Sequence, residues 1–138
     1  MEQMTEDERL LDSLGETAFR TMGALTGIAA DAGLSLTQLR VLAILRDRRL
    51  RIGDLADWLG LERSTMTGLV ARASAKGLLA REPNAEDARA VDVVITDAGL
   101  ELARSLERAM RDAMLPLTTR LPEGDRQELR VLLDRMLR

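Results

Sequence analysis

Leu55-Ala56-Asp57-Trp58-Leu59-Gly60-Leu61-Glu62-Arg63-Ser64-Thr65-Met66-Thr67 decides the reading of this chain. A short helix with Leu55, Ala56 and Leu59 turned inward stops at Gly60. A second helix starts at Glu62-Arg63-Ser64-Thr65, and Met66, Leu69, Val70 and Ala73 recur at helical spacing on its inner side. Gly77 closes it as a C′ glycine. Two helices joined by a tight turn containing glycine make a helix-turn-helix pattern.

Downstream, Leu78 to Glu82 is short enough for a strand, and Pro83-Asn84-Ala85-Glu86-Asp87-Ala88-Arg89 is a polar loop. Val91-Asp92-Val93-Val94-Ile95 is β-branched and partly alternating, so it reads as the returning strand of a hairpin with a long, charged tip. Thr96 caps a long helix through Leu100, Ala103, Leu106, Met110, Ala113, Met114 and Leu117, which Pro116 is expected to kink or end. Pro122 then opens a last helix with an apolar face of Leu129, Leu132, Leu133, Met136 and Leu137.

Upstream, Thr5-Glu6-Asp7-Glu8 and Ser35-Leu36-Thr37-Gln38 both read as capping boxes. The first opens a helix to about Ala32, striped by Leu11, Leu14, Ala18, Met22, Leu25 and Ala29 and widened by Leu10, Phe19 and Ile28. Gly15, Gly23 and Gly27 weaken that helix intrinsically, so something must pack against it. The second opens a helix with Leu39, Leu42, Ala43 and Leu45, followed by Arg46, Arg48, Arg49 and Arg51 in a short polar connection. The expected order is α-α-α-α-β-β-α-α. The fold class is mainly α with a small β-hairpin wing (α+β), a winged helix-turn-helix flanked by long helices at both ends. Residues 34–99 form one lobe; residues 1–33 and 100–138 form a helical region whose apolar faces exceed what that lobe can cover.

At 138 residues the chain is about one domain. It has no His and no Cys, which excludes Ser-His and Cys-His nucleophile pairs, thiol redox sensing, disulfides and ordinary zinc sites. No paired carboxylates fall in a recognisable pocket motif, so no enzyme activity, cofactor or metal is expected. The net charge of −3 is unevenly spread. Residues 1–33 carry two Arg against seven acids, whereas residues 34–99 carry ten basic against nine acidic side chains. The acidity therefore sits in the first helix, away from the helix-turn-helix. The start is acidic where a signal peptide is basic, and no stretch approaches the ~20 apolar residues of a membrane helix, so a cytoplasmic location is expected.

From Leu55 to Gly99 the residues resemble the MarR family of bacterial transcriptional regulators. The quoted stretch is similar to the family's turn and the start of its recognition helix. Arg72 and Lys76-Gly77-Leu78-Leu79-Ala80-Arg81 match the exit toward the wing, Asp87-Ala88-Arg89 a D-x-R wing tip, and Ile95-Thr96-Asp97-Ala98-Gly99 a Leu-Thr-x-x-Gly junction. Two positions depart from the pattern. Gly68 stands where a larger, often basic, residue is common, which removes a base or phosphate contact, and Ala73 stands where Leu is usual.

The resemblance implies sequence-specific binding of double-stranded DNA as a homodimer on a pseudo-palindromic operator, mostly as a repressor, with a small-molecule effector that releases it. The face left outward by Met66, Leu69, Val70 and Ala73 carries Arg63, Ser64, Thr65, Thr67 and Arg72 as DNA-contact candidates. Arg63 can fork to guanine or phosphate, and the hydroxyls can reach either, or only stabilise the helix start. Arg89 at the wing tip suits a narrow minor groove, or pairs with Glu86 or Asp87; Asp87 is expected to orient Arg89 or Arg72. Leu11, Leu14, Leu129, Leu132 and Met136 are the dimer-interface candidates. Trp58 reads as packing on the short helix, and Phe19 and Met22 as core or dimer interface. With one Phe and no Tyr, no ligand-binding residues are assigned. The alternative is a winged-helix protein-interaction module without DNA binding.

Overall fold

The computed structural model describes residues 3–138. Its elements run α1 (Glu6–Asp31), α2 (Leu36–Leu45), β1 (Leu50–Arg51), α3 (Ile52–Leu59), α4 (Arg63–Ala75), β2 (Leu79–Pro83), β3 (Val91–Ile95), α5 (Asp97–Thr118) and α6 (Glu123–Leu137). Both expected capping boxes are formed. Thr5 accepts from the Glu8 N–H while Glu8 receives the Thr5 N–H at 2.7 Å, and Ser35 and Gln38 repeat the exchange. Gly60, with φ 64°, makes the turn between α3 and α4 in a left-handed conformation that costs a glycine little. Gly33 and Gly77 end α1 and α4 in the same way.

One element departs from the expected order. Leu50 and Arg51, read as part of a polar connection, pair with β3 as a third strand. The sheet is antiparallel in the order β1-β3-β2, with Leu50 opposite Val93 and Leu79 opposite Ile95. Pro83 ends β2 on the sheet's edge, where its missing N–H costs no ladder bond. Pro116 does not stop α5 at once; the helix runs on to Thr118 before Thr119 caps it.

The core lies to one side of the molecule. Val41, Leu42 and Leu45 of α2, Leu55 of α3, Met66 and Val70 of α4, Val93 of β3 and Ala103 and Leu106 of α5 are all buried in one cluster. The long helices contribute little to it. Of the α1 stripe only Ala29 is buried, and α6 has no buried residue. Nothing lies within 4 Å of where a Cβ would stand on Gly15, Gly23 or Gly27, so no close packing within this chain accounts for those glycines.

Candidate nucleic-acid interface

Burial of Met66, Leu69, Val70 and Ala73 fixes how α4 is rotated, and the fixed rotation leaves Arg63, Ser64, Thr65, Thr67 and Arg72 exposed. Glu62 is the N-cap and gives no side-chain hydrogen bond, so side chains leave the first amides of α4 free. Ser64 and Thr65 make no side-chain hydrogen bond among the described residues. Thr67 donates its hydroxyl to the Arg63 carbonyl at 2.9 Å. The Arg63 guanidinium folds over Gly53 of α3, with Nη2 3.3 Å from where a Cβ would stand there. Arg72 lies back along its own helix over Gly68. Neither arginine pairs with an acid among the described residues.

The wing tip is a closed turn. Asn84 Oδ1 accepts the Glu86 and Asp87 N–H groups, and Asp87 Oδ1 accepts the Arg89 N–H, all at 3.0 Å. Asp87 thus fixes the backbone that carries Arg89, and among the described residues it forms no hydrogen bond or ion pair with Arg72. The Arg89 side chain is exposed and unpaired among the described residues, including with Glu86 and Asp87.

Beneath the tip sits a network that the sequence reading missed. Glu82 and Asp92 stand opposite each other in the β2–β3 ladder, a repulsive placement for two carboxylates. Arg49 resolves it, with Nε 2.8 Å from Asp92 Oδ2 and Nη2 3.2 Å from Glu82 Oε2. Asn84 Nδ2 donates to the other Asp92 oxygen at 2.9 Å. Asp92 is only 4% exposed, and its carboxyl is held below the ordinary carboxylate range. The Asn84 hydrogen bond is the largest cause; burial opposes it, and Arg49 reinforces it. A charged residue inside a β-branched run was the one signal that pointed to this network.

Elsewhere in the lobe, Trp58 is not packed inward as expected. It is 52% exposed, because the inward positions of α3 are taken by Leu55 and Ala56, and the Arg48 guanidinium stacks 4.8 Å above its ring. Lys76 donates to the Gly33 carbonyl at 2.6 Å, a positive charge at the C-terminal end of α1, which has no basic residue in its last turn. Leu11, Leu14, Leu129, Leu132 and Met136 are all exposed, as are Met22 and Phe19, the latter at 77%, so neither of these belongs to the core. A small recess opens between α1, α2 and α5, lined by Leu25, Leu39, Leu42, Ala103, Leu106 and Met110. Arg46 and Glu107, 2.8 Å apart, stand at its edge. Among the described residues no group of His, Cys, Asp or Glu is arranged to hold a metal, and no single helix is long and apolar enough to cross a membrane.

Helix-turn-helix, hairpin and third strand on one core make this a winged helix-turn-helix protein. Residues 32–90 match the MarR family. The chain is 32% identical over 74 residues to the uncharacterized HTH-type transcriptional regulator YfiV of Bacillus subtilis (strain 168), a match spanning 53% of this chain and about half (46%) of that one. Its fold is similar over 100% of both chains to a mutant MarR from E. coli complexed with operator DNA, with TM-score 0.75 and 21% identity. It is similar over 98% of this chain and 97% of the other to Bordetella bronchiseptica BpsR, whose structure concerns regulation of DNA binding by 6-hydroxynicotinic acid, with TM-score 0.75 and 23% identity. Over residues 32–90, less than half of its length, the chain thus resembles the MarR family, and its overall fold is that of the winged helix-turn-helix structures it matches.

Proposed function

We propose that this protein is a sequence-specific DNA-binding repressor that acts as a homodimer on a pseudo-palindromic operator. Residues 34–99 serve as the DNA-binding lobe and the remaining helices as the dimerisation region. The observation that carries the reading is the outer face of α4. Arg63, Ser64, Thr65, Thr67 and Arg72 share it with uncapped N-terminal amides, and no acidic residue lies within the helix. Amides at a helix start and unpaired guanidinium groups suit phosphate, and a forked guanidinium suits the guanine edge. Arg89 extends the same chemistry to the minor groove from a tip that Asp87 holds in shape.

The dimer follows from the bare apolar faces of α1 and α6, where Leu11, Leu14, Leu129, Leu132 and Met136 lack cover. A twofold assembly places two α4 helices to read half-sites about one turn of DNA apart. The effector site is the recess between α1, α2 and α5. Its apolar lining suits a small ring compound, and an acid of the kind that regulates BpsR would compete with Glu107 for Arg46. Such a ligand acts by favouring a lobe spacing that no longer fits the grooves.

The test is selection of binding sequences from random duplex, followed by titration across salt. Affinity is expected to fall steeply as salt rises, through counterion release. Arg72→Ala is expected to cost about 1–3 kcal/mol on the selected site. Arg89→Ala is expected to weaken binding most on sites with an A·T-rich flank. Selection of no sequence by a chain that still dimerises would instead favour a protein-interaction module.

A further inference from the structure

Gly68 has no explanation in the fold. It sits inside α4, where glycine weakens a helix, and its φ is not positive. Apart from the adjoining residues and backbone of α4 itself, a Cβ there would have one neighbour within 4 Å, Arg72 Nη1 at 3.4 Å. Positions 68 and 72 are one turn apart, and helical side chains lean toward the N-terminus, so Arg72 reaches back onto exactly the turn that lacks a side chain. No acid holds it there: α4 contains none, and Arg72 forms no ion pair among the described residues.

We infer that Gly68 is a positioning residue for Arg72. The bare backbone at position 68 is a seat, and in it the guanidinium lies along α4 instead of projecting from its own Cα. Its charge and donors arrive at the middle of the outer face, between the Ser64–Thr65 hydroxyls and the Arg72 backbone. A contact that a larger residue at position 68 would make is supplied instead by an arginine from the following turn. The glycine also keeps that face thin, so the helix axis lies close to whatever the guanidinium touches. This inference rests on the reading of α4 as the DNA-contacting helix and names the pair that sets its preference. The pair acts as a unit, so a side chain at position 68 lifts the guanidinium out of place without touching the core.

A double-mutant cycle tests it, with Gly68→Leu, Arg72→Ala and the double variant titrated against the selected operator and a scrambled duplex, alongside thermal unfolding. Gly68→Leu is expected to unfold at the wild-type temperature or higher, because leucine is the better helix former. It is expected to bind the operator at least about ten-fold more weakly, the scale of one lost arginine–base contact. In the Arg72→Ala background the same change is expected to cost less than about two-fold. Should Gly68→Leu fail to fold, Gly68→Ala takes its place in the cycle, with a loss of a few-fold and the same coupling to Arg72. Wild-type affinity in the folded Gly68 variant would overturn the inference. So would an equal loss with and without Arg72, which would mean simple steric exclusion. Both outcomes leave the DNA-binding reading intact, whereas a wild-type protein with no salt-dependent duplex binding overturns the two together.

Discussion

A single hydrogen atom decides the joint between wing and long helix. A Cβ on Gly99 would fall on the Leu78 carbonyl oxygen and within 2.8 Å of Ile95 Cγ1. That carbonyl already accepts the Thr96 N–H at 3.1 Å, while the Thr96 hydroxyl donates to the Gly77 carbonyl at 2.6 Å and accepts the Gly99 N–H at 3.0 Å. Backbone meets backbone here, so no rotamer change relieves the clash. Gly99→Ala is therefore expected to destabilise the fold by about 3 kcal/mol or more, read as a fall in the urea midpoint. An unchanged midpoint would show that α5 can slide away from β2. The sequence shows Thr96 and Gly99 at capping distance. It does not show that the Leu78 carbonyl, twenty-one residues earlier, occupies the space a side chain needs. Gly68 and Arg72 are a converse case: their spacing of four is visible in the chain, but the missing acid partner becomes evident only once α4 is set among its neighbours.

At the scale of elements, the wing depends on one buried carboxylate. Asp92 ties Arg49 ahead of β1 to Asn84 at the start of the tip, and the tip carries Arg89. Its folded-state pKa lies below the ordinary range, so folding favours the ionised form. The resulting stability is present above the unfolded carboxylate range and is lost as pH falls through the depressed folded value. With no histidine in the chain, no imidazole titration adds a step near neutrality. Hydrogen-exchange protection of the Asn84 and Ala90 amides, which donate to Ala90 O and Asp87 O, is thus expected to drop in acid before the core amides of α4 do. Asp92→Asn should bring that loss to neutral pH, because it leaves Arg49 beside Glu82 alone; full protection in that variant would remove Asp92 from the support of the wing.

These strands also show how far sequence pattern reaches. The hairpin was legible because Val91–Ile95 is β-branched and bounded by turn residues. The two residues of β1 have no period to detect, and what makes them a strand is the free edge of β3. The four arginines around them hid the pairing, because Arg49 reads as solvated until Asp92 and Glu82 are brought to it.

For the whole molecule, the off-centre core is the informative feature. The end helices were legible from their caps and stripes, but a stripe says only that a face needs cover, not what covers it. In this chain α6 buries no residue, and Leu132 is 49% exposed in the middle of an apolar stripe with Leu129, Leu133 and Met136. Apolar surface is worth roughly 25 cal/mol per Å² when removed from water, so a face of this extent favours association. An aspartate at its centre would bring an unpaired charge into the proposed interface, a cost of several kcal/mol. Because Leu132 contributes nothing to the core of residues 34–99, the lobe itself should survive the change. Leu132→Asp is therefore expected to halve the mass in solution by light scattering, with α4 and wing amides still protected. Operator affinity should fall toward that of a single half-site, since one lobe then makes the contacts that two made before. A Leu132→Asp protein that remains dimeric would move the twofold contact elsewhere, and the uncovered stripe of α1 around Leu11 and Leu14 would be the next face to charge.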